Sequence, residues 1–136
     1  MSATNYLENA LLNHLVGNST LTGDQIHVAL ATAVTDAEAG TFTEVTNVGT
    51  GYARQQADNT KWTTATTGST TTTGTSIEFP VATAAYGSDV THVVLTDSGT
   101  YGGGNVLLIQ ALTTPKTVDQ DDQFVISAGN LTLALD

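Results

Sequence analysis

Threonine is the feature of this sequence that most constrains its fold, because it occupies 27 of the 136 positions. Its β-branched side chain fits a pleated, half-exposed surface better than a helix. Charged residues make up only 12% of the chain, so threonine supplies much of the polar surface. The hydrophobic share of 40% suffices for one buried core, and the length is too short for two ordinary domains. We therefore predict one mainly β domain spanning residues 1–136.

The charge balance and the absence of cysteine exclude several kinds of partner and chemistry. Three basic residues against thirteen acidic ones give a formal charge of −10, too few cations to neutralise a row of phosphates. We expect no direct nucleic-acid partner and no membrane partner, although an acidic surface can also serve solubility alone. Without cysteine, the chain has no disulfide and no thiolate metal site. The apolar runs are far shorter than a membrane span, and no export signal is readable.

One segment near the N-terminus has the pattern of a helix. Asn5 and Glu8 have the spacing of a capping box, and Gly17 is placed to end the helix. Apolar and weakly polar residues recur between them at helical intervals, at Leu7, Ala10, Leu11, His14 and Leu15. The pattern predicts a helix over about residues 5–16. Its single apolar stripe requires a partner, either its own sheet or a neighbouring subunit.

The first half of the remaining chain alternates between strand patterns and weakly patterned segments. Residues 26–31 alternate with period two, as in a strand with one buried face. Residues 32–51 show no sustained period and are predicted to form an extended arm, with a short strand near Phe42–Val45. Tyr52–Ala57 and Lys61–Thr66 are predicted strands around an Asp58–Asn59 turn, and residues 67–75 a loop or exposed hairpin end.

The second half of the chain carries the clearest strands. Ile77, Phe79 and Val81 predict a half-buried edge strand, because Pro80 cannot donate to a ladder. Residues 90–96 and 105–112 are the most apolar strands and should be central, joined by a flexible glycine-rich tip. Residues 124–127 and 131–135 predict a terminal hairpin. About eight short strands with regular turns indicate a β-sandwich or jelly-roll-like fold with one short N-terminal α-helix.

The search for chemical sites predicts no catalytic residue and no cofactor. His14, His27 and His92 lie outside any recognised catalytic motif, and we expect structural roles, with His92 the one most expected to have a specific partner. The acidic run Asp119, Asp121 and Asp122 is a weak candidate for a calcium site. A solvated turn is favoured, because the run lacks the glycine that calcium loops use.

Arg54 is one of only three cations in the chain, so we expect its position to be specified. The simplest partner is an acid such as Glu44, in an ion pair that serves the structure rather than catalysis.

Four segments, taken in order, resemble a family of small virion proteins of tailed bacteriophages. They are NYLENALLNH (residues 5–14), TEVTNVGTGYARQ (43–55), FPVATAAYGSDVTHVVLTD (79–97) and ALTTPKTVDQDDQFVISAGNLTLALD (111–136). Together they cover about half of the chain. The sequence departs from that pattern at Tyr86, where tryptophan is expected, and at Asp121–Asp122, where a Gly-Asp turn is usual.

The resemblance implies a β-sandwich with an N-terminal helix, no enzymatic activity and assembly as an oligomer, with a trimer favoured. The leading hypothesis is a capsid decoration (cement) protein of the virion that bridges neighbouring capsid subunits, so that its partners are the major capsid protein or other virion proteins. The alternative is a tail component, such as a fibre base, an adaptor or a receptor-binding module. The candidate interface residues are Tyr6, Leu7, Leu11, Leu15, Phe42, Val45, Arg54 and Trp62.

Overall fold

The computed structural model describes residues 2–21, 26–66 and 70–134. This part of the chain is mainly β with one short N-terminal helix, which confirms the predicted fold class. The strands form antiparallel sheets, and none of the described strands closes a barrel. The elements in chain order are β1 (Ser2–Ala3), α1 (Asn5–Leu15), β2 (His27–Asp36), β3 (Thr41–Glu44), β4 (Gln55–Gln56), β5 (Thr70–Thr72), β6 (Ile77–Glu78), β7 (Val90–Thr96), β8 (Val106–Lys116), β9 (Val125–Ile126) and β10 (Thr132–Ala134).

The main sheet has the order β1-β8-β7-β2-β3, and β4 also pairs with β2. Its centre is formed by β8, β7 and β2, so the two most apolar predicted strands are indeed central. Leu95 of β7 lies opposite Val28 of β2 on one side and Leu108 of β8 on the other. Both faces of these strands are covered, so all four residues of Val28–Ala31 are buried, and the prediction of one buried face for residues 26–31 was wrong. Val93–Leu95 and Leu107–Ile109 are likewise continuous buried apolar runs.

The core is divided between the two faces of this sheet. The larger cluster includes Phe79, Leu30 and Ile77, which are fully buried. Phe79 lies edge-on to Phe124 and stacks near Tyr52, with ring centroids 5.8 and 6.1 Å apart. The second cluster is formed by the residues that point to the opposite face, namely Ala29, Ala31, Val94 and Ile109. Small side chains on this face allow the end of the β2–β3 hairpin to pack closely over it.

The N-cap of the helix lies one residue earlier than the predicted cap, Asn5. Thr4 is the N-cap: its hydroxyl accepts from the N–H of Leu7 at 3.3 Å and donates to the carbonyl of Val106. Asn5 is therefore the first helical residue and not the cap. Leu7 is buried and α1 packs against β8, so part of the predicted apolar stripe has its partner within the chain.

The predicted extended arm at residues 32–51 is a hairpin over most of its length. Strand β2 continues to Asp36 and turns back into β3, with Phe42 opposite Val34. The ladder has register shifts between Ala31 and Ala33 and between Val34 and Asp36. Each such bulge adds an unpaired residue and interrupts the period-two pattern, which is why the sequence shows no sustained alternation there.

The predicted terminal hairpin is also different in the structure. Strand β9 pairs with β6, and β10 pairs with β5, although the N–H of Asn130 does bond the carbonyl of Ser127 in a turn between them. Gly129 has a φ of +81°, as expected for the glycine of that turn. The two strands that follow one another in the chain thus extend into two different small sheets.

Several shorter predictions hold only in part. Of the two strands expected around Asp58–Asn59, only Gln55–Gln56 joins the sheet, while Trp62 forms an isolated bridge with Thr73. The alternation from Ile77 ends at Phe79, because Val81 is half exposed. The loop expected at 67–75 contains β5, and residues 67–69 lie outside the described part of the chain.

No helix in the described part of the chain is both long enough and apolar enough to span a membrane.

Candidate functional site

A buried ion pair lies between β3 and the start of β4. The guanidinium of Arg54 meets the carboxylate of Glu44 through two contacts of 2.8 Å, Nε to Oε1 and Nη2 to Oε2. The side chains are only 2% and 6% exposed, respectively. This two-point geometry matches the planar fork of arginine to a carboxylate. The ion pair predicted for Arg54 is therefore confirmed, with the predicted partner.

Three further hydrogen bonds of the pair are made to one loop, Ser98–Asn105, which we call the tyrosine loop. The Nη1 of Arg54 donates to the carbonyls of Ser98 and Gly103 at 2.8 and 2.9 Å, and to the hydroxyl of Thr96 at 3.2 Å. The Oε2 of Glu44 accepts from the N–H of Gly102 at 3.0 Å. The ion pair therefore binds the loop from its buried side, because Arg54 binds two carbonyl groups of the loop and Glu44 binds one N–H group.

Tyr52 completes this buried network. Its hydroxyl donates to Glu44 Oε1 at 2.9 Å and accepts from the N–H of Leu30 at 3.0 Å. Burial is the main cause that raises the pKa of Tyr52 well above its usual range, so the phenol stays neutral. For Arg54, burial lowers the pKa, but the hydrogen bond and charge of Glu44 outweigh it and leave the pKa raised.

The tyrosine loop is closely fitted, unlike the flexible tip that its glycines predicted. Gly104 has a φ of +74°, and a Cβ at this position would lie 2.4 Å from the Cβ of Ser98. Asp97 accepts from the backbone N–H and side-chain amide of Asn105 at 2.6 and 2.8 Å. Above the network, Tyr101 is 44% exposed and lies edge-on to Tyr52, with ring centroids 6.4 Å apart. The glycine at position 104 permits the close approach to Ser98.

The structure places the candidate interface residues in three different environments. Leu7, Val45 and Arg54 are buried, so they serve the core and the ion pair rather than a surface. Leu11, Phe42 and Trp62 are half-buried, and the indole N–H of Trp62 donates to the carbonyl of Ala57 at 2.9 Å. Only Tyr6 and Leu15 among the candidates are well exposed.

Further exposed apolar residues were not predicted from the sequence. Leu12 and Val16 are exposed beside Leu15 at the end of the helix, and Val48 is 83% exposed in the loop after β3. Leu12 and Val16 do not belong to the predicted apolar stripe of the helix, so the hydrophobic periodicity did not identify them as candidate contact residues. Their exposure depends on which face of the helix docks, and that is decided by tertiary packing.

The acidic run forms a self-contained turn. The N–H of Asp119 donates to Asp122 Oδ2 at 3.0 Å, and the N–H of Asp122 to the carbonyl of Asp119 at 3.1 Å. Asp121 has a φ of +71°, and its N–H bonds the carbonyl of Ala82. Over residues 2–21, 26–66 and 70–134, no group of three or more histidine or acidic side chains is arranged to hold a metal ion.

The three histidines lie on three different elements, α1, β2 and β7. The ring of His92 lies 2.8 Å from the hydroxyl of Thr91, which confirms that it has a specific partner. His14 accepts from the N–H of Leu21 at 3.4 Å. His27 packs so closely on Gly99 that an added Cβ would lie 2.7 Å from its Nε2. Within the described residues, no hydrogen bond joins a carboxylate to His14 or His92.

A groove of about 910 Å³ lies between the second half of β8 and residues 122–132. In this half of β8 the ladder jumps from the pair His92–Ala111 to the pair Val90–Lys116, so the intervening residues bulge out of the sheet. Lys116 and Asp122 contribute one charge of each sign to the lining. The groove therefore has no electrostatic preference for a strongly charged ligand.

Comparison with protein families supplies the biological setting. The family model described as "Podophage GP4 fiber I protein gp80" (Gp80) matches residues 2–134. A search among curated proteins found no match. The matched range includes the ion pair, the tyrosine loop, the helix and every described strand. The chain therefore belongs to the family of the podophage GP4 fiber I protein gp80, and it is a component of a phage virion.

Proposed function

We propose that this chain is a structural, non-enzymatic subunit of a phage tail fibre. The observation that carries the proposal is the family match, which extends over residues 2–134 and is to a fiber protein. A mainly β chain whose buried polar residues hold a surface loop fits a role in making contacts. This favours the alternative among our sequence-based hypotheses, the tail component, over the capsid decoration protein.

The bridging role in the capsid has lost part of its structural motivation. That hypothesis relied on residues 32–51 and on the threonine-rich tract at residues 67–75 as segments able to reach a neighbouring subunit. In the first segment, β2 continues to Asp36, Thr41–Glu44 pair with it as β3, and Val45 is buried in the core. These residues cannot reach a neighbour without breaking the main sheet.

Electron microscopy of the virion tests the proposed location. Gold-labelled antibodies against this chain should bind the tail or its fibres, and density for its fold should be found there. Labelling confined to the head would contradict the fibre role and restore the capsid hypothesis.

The non-enzymatic role is supported by how the polar residues are used. The carboxylate of Asp122 closes its own turn, and His92 bonds the neighbouring Thr91. We expect the purified protein to release no reducing sugar from host surface polysaccharide. Release that is lost on replacing Asp119, Asp121 and Asp122 with alanine would contradict this role.

We also propose that the chain assembles with copies of itself, with a trimer favoured, through the helix end that exposes Leu12, Leu15 and Val16. Because the chain carries a charge of −10, contacts between copies are favoured where charge is low.

Light scattering should show a trimer that Leu15→Asp dissociates. Val48→Asp, at a similarly exposed position in the loop after β3, is the matched control and should leave the trimer intact. Dissociation by the control alone would contradict this surface.

A further inference from the structure

We infer that the groove along the second half of β8 is a binding site for a neutral oligosaccharide. The groove is bounded by this strand on one side and by residues 122–132 on the other. The inference goes beyond the proposed structural role, because it assigns a ligand and the surface that binds it. It depends neither on the place of the chain in the virion nor on its oligomeric state.

The size of the groove and its fixed walls suit a small ligand. Its volume of about 910 Å³ lies within the range of about 300–1,000 Å³ that is usual for ligand sites. One wall is held at Gly129, whose N–H bonds the carbonyl and the hydroxyl of Thr73 at 2.7 and 3.1 Å. On the other wall, the hydroxyl of Thr117 donates to Asp89 at 2.7 Å. Walls held in this way lose little conformational freedom when a ligand binds.

The polar groups of the groove match the hydroxyl groups of a sugar. Three side-chain amides line it, those of Gln110, Gln123 and Asn130, together with four threonines. Amides and hydroxyls both donate and accept hydrogen bonds, as sugar hydroxyls do. The Nε2 of Gln123 donates to the carbonyl of Phe79 at 2.9 Å, which fixes the direction of its own side-chain carbonyl. The side-chain amide of Asn130 makes no hydrogen bond to any described residue, so it is free to bind a ligand.

Apolar side chains lie among these polar groups. Val125 is exposed and Leu112 is half-buried, and both line the groove. The C–H faces of a sugar ring can pack on such side chains, because burial of apolar surface is favourable. The mixed lining therefore serves both the hydroxyl groups and the ring faces of a sugar.

The charges of the groove and of the chain disfavour a highly charged ligand. Lys116 and Asp122 contribute one charge of each sign to the lining, and the carboxylate of Asp122 already accepts from the N–H of Asp119. The chain as a whole carries a charge of −10, so a polyanion such as a nucleic acid or an acidic polysaccharide is repelled. A neutral sugar chain meets no such repulsion.

The edge of β8 is unsuited to pairing with a further strand in the groove. Among the described strands, β1 pairs with β8 at Leu108 and Ile109, and no strand continues this pairing beyond Ile109. The rest of β8 contains the bulge after Ala111, as well as Pro115 and Lys116. A bulge, a proline and a lysine are three features by which proteins keep edge strands from pairing. A β-strand of another protein is therefore disfavoured as the occupant.

A glycan array followed by nuclear magnetic resonance tests the inference on the full chain. The protein is applied to an array of bacterial surface glycans with neutral and acidic members, and the tightest neutral binder is titrated into isotope-labelled protein. We expect the array to show binding to neutral members, and the amide signals that shift to belong to residues 110–117 and 122–132. Because the ligand is uncharged, its Kd should change less than about twofold between about 0.05 and 0.5 M NaCl.

Two substitutions test the groove directly. Asn130→Ala should raise the Kd of that glycan about three- to tenfold, because one hydrogen bond to the sugar is lost. Asn47→Ala, at an exposed asparagine outside the groove, is the matched control and should leave the Kd unchanged. Thr113→Trp, at an exposed position of the lining, fills the groove and should abolish binding while the melting temperature stays nearly unchanged.

The inference would be overturned if no neutral glycan of the array is bound, or if an acidic glycan binds more tightly than every neutral one. Shifted signals that lie outside the groove, or equal Kd values for Asn130→Ala and Asn47→Ala, would overturn it as well. None of these results bears on the location in the tail, which is tested by microscopy.

Discussion

The tyrosine loop and the Asp119–Asp122 turn are two irregular segments that contribute no residue to the core, yet they are held in different ways. The loop has local hydrogen bonds, such as those of Asn105 to Asp97, but it also accepts from Arg54 and donates to Glu44, whose side chains are buried and distant in sequence. The turn is closed by its own carboxylate, with added backbone bonds to Ala82. The comparison teaches that the loop is bound to buried charged side chains, whereas the described bonds from the turn to the rest of the chain are backbone bonds to Ala82.

The largest expected effect is on the tyrosine loop. Glu44→Ala leaves the guanidinium of Arg54 buried without its counter-charge, so the free energy of unfolding should fall by about 3–5 kcal/mol. Urea denaturation measures this. The double variant Glu44→Met, Arg54→Met removes both charges and should recover most of the loss. A single variant that costs under about 1 kcal/mol would show that the ion pair does not hold the loop.

Gly104 and Gly102 form a matched pair for testing the close fit of the loop. Both have positive φ, so either alanine variant carries a conformational cost of about 1–2 kcal/mol. Only at Gly104 would the new Cβ overlap Ser98, while Gly102 has open space around it. Overpacking should therefore make Gly104→Ala less stable than Gly102→Ala by about 1–3 kcal/mol in thermal unfolding. Equal losses would mean that the loop shifts easily.

Alkaline pH should lower the free energy of unfolding through Tyr52, which belongs to the network that holds the tyrosine loop. Burial raises the pKa of Tyr52, so the folded chain keeps a proton that the unfolded chain releases near pH 10. The stabilisation is full below pH 10 and decreases above it, by up to about 1.4 kcal/mol per pH unit. Denaturation between pH 8 and 11 should show this slope, and Tyr52→Phe should reduce it. An unchanged slope in Tyr52→Phe would contradict the role of this phenol.

Tyr86 links the core to the segment that precedes the acidic turn, since its N–H bonds the carbonyl of Val118. Its hydroxyl is buried and, among the described residues, has no hydrogen-bond partner. Removing such a group removes its desolvation penalty, so Tyr86→Phe should raise the free energy of unfolding by about 1 kcal/mol. A loss of stability in urea denaturation would show that the hydroxyl has a partner, such as a bound water molecule.

The smallest expected effect concerns the acidic turn. Asp122→Ala removes one exposed hydrogen bond to the N–H of Asp119, which should lower the free energy of unfolding by about 0.5–1 kcal/mol. Asp122→Asn retains an acceptor and is the control. A loss as large as that of Glu44→Ala would remove the distinction between the two segments.

The sequence predicted part of the candidate site and little of its arrangement. Arg54 was predicted to pair with Glu44 because cations are rare in this chain. The convergence of that pair on Ser98, Gly102 and Gly103 was not predicted, because those residues are more than 40 positions away from Arg54. The tyrosine loop was predicted to be flexible from its glycines, whereas Gly104 serves close contact with Ser98.

By itself, the sequence determined a mainly β chain with one N-terminal helix and with β7 and β8 at its centre. Threonine content and apolar runs act locally, so they can be read without knowing what each strand contacts. Only the tertiary structure decided that β9 and β10 pair with different strands, that residues 32–44 form a hairpin of the main sheet, and that the tyrosine loop is bound to a buried ion pair. These features depend on contacts between segments that are distant in sequence, and local hydrophobic and turn patterns cannot predict such contacts.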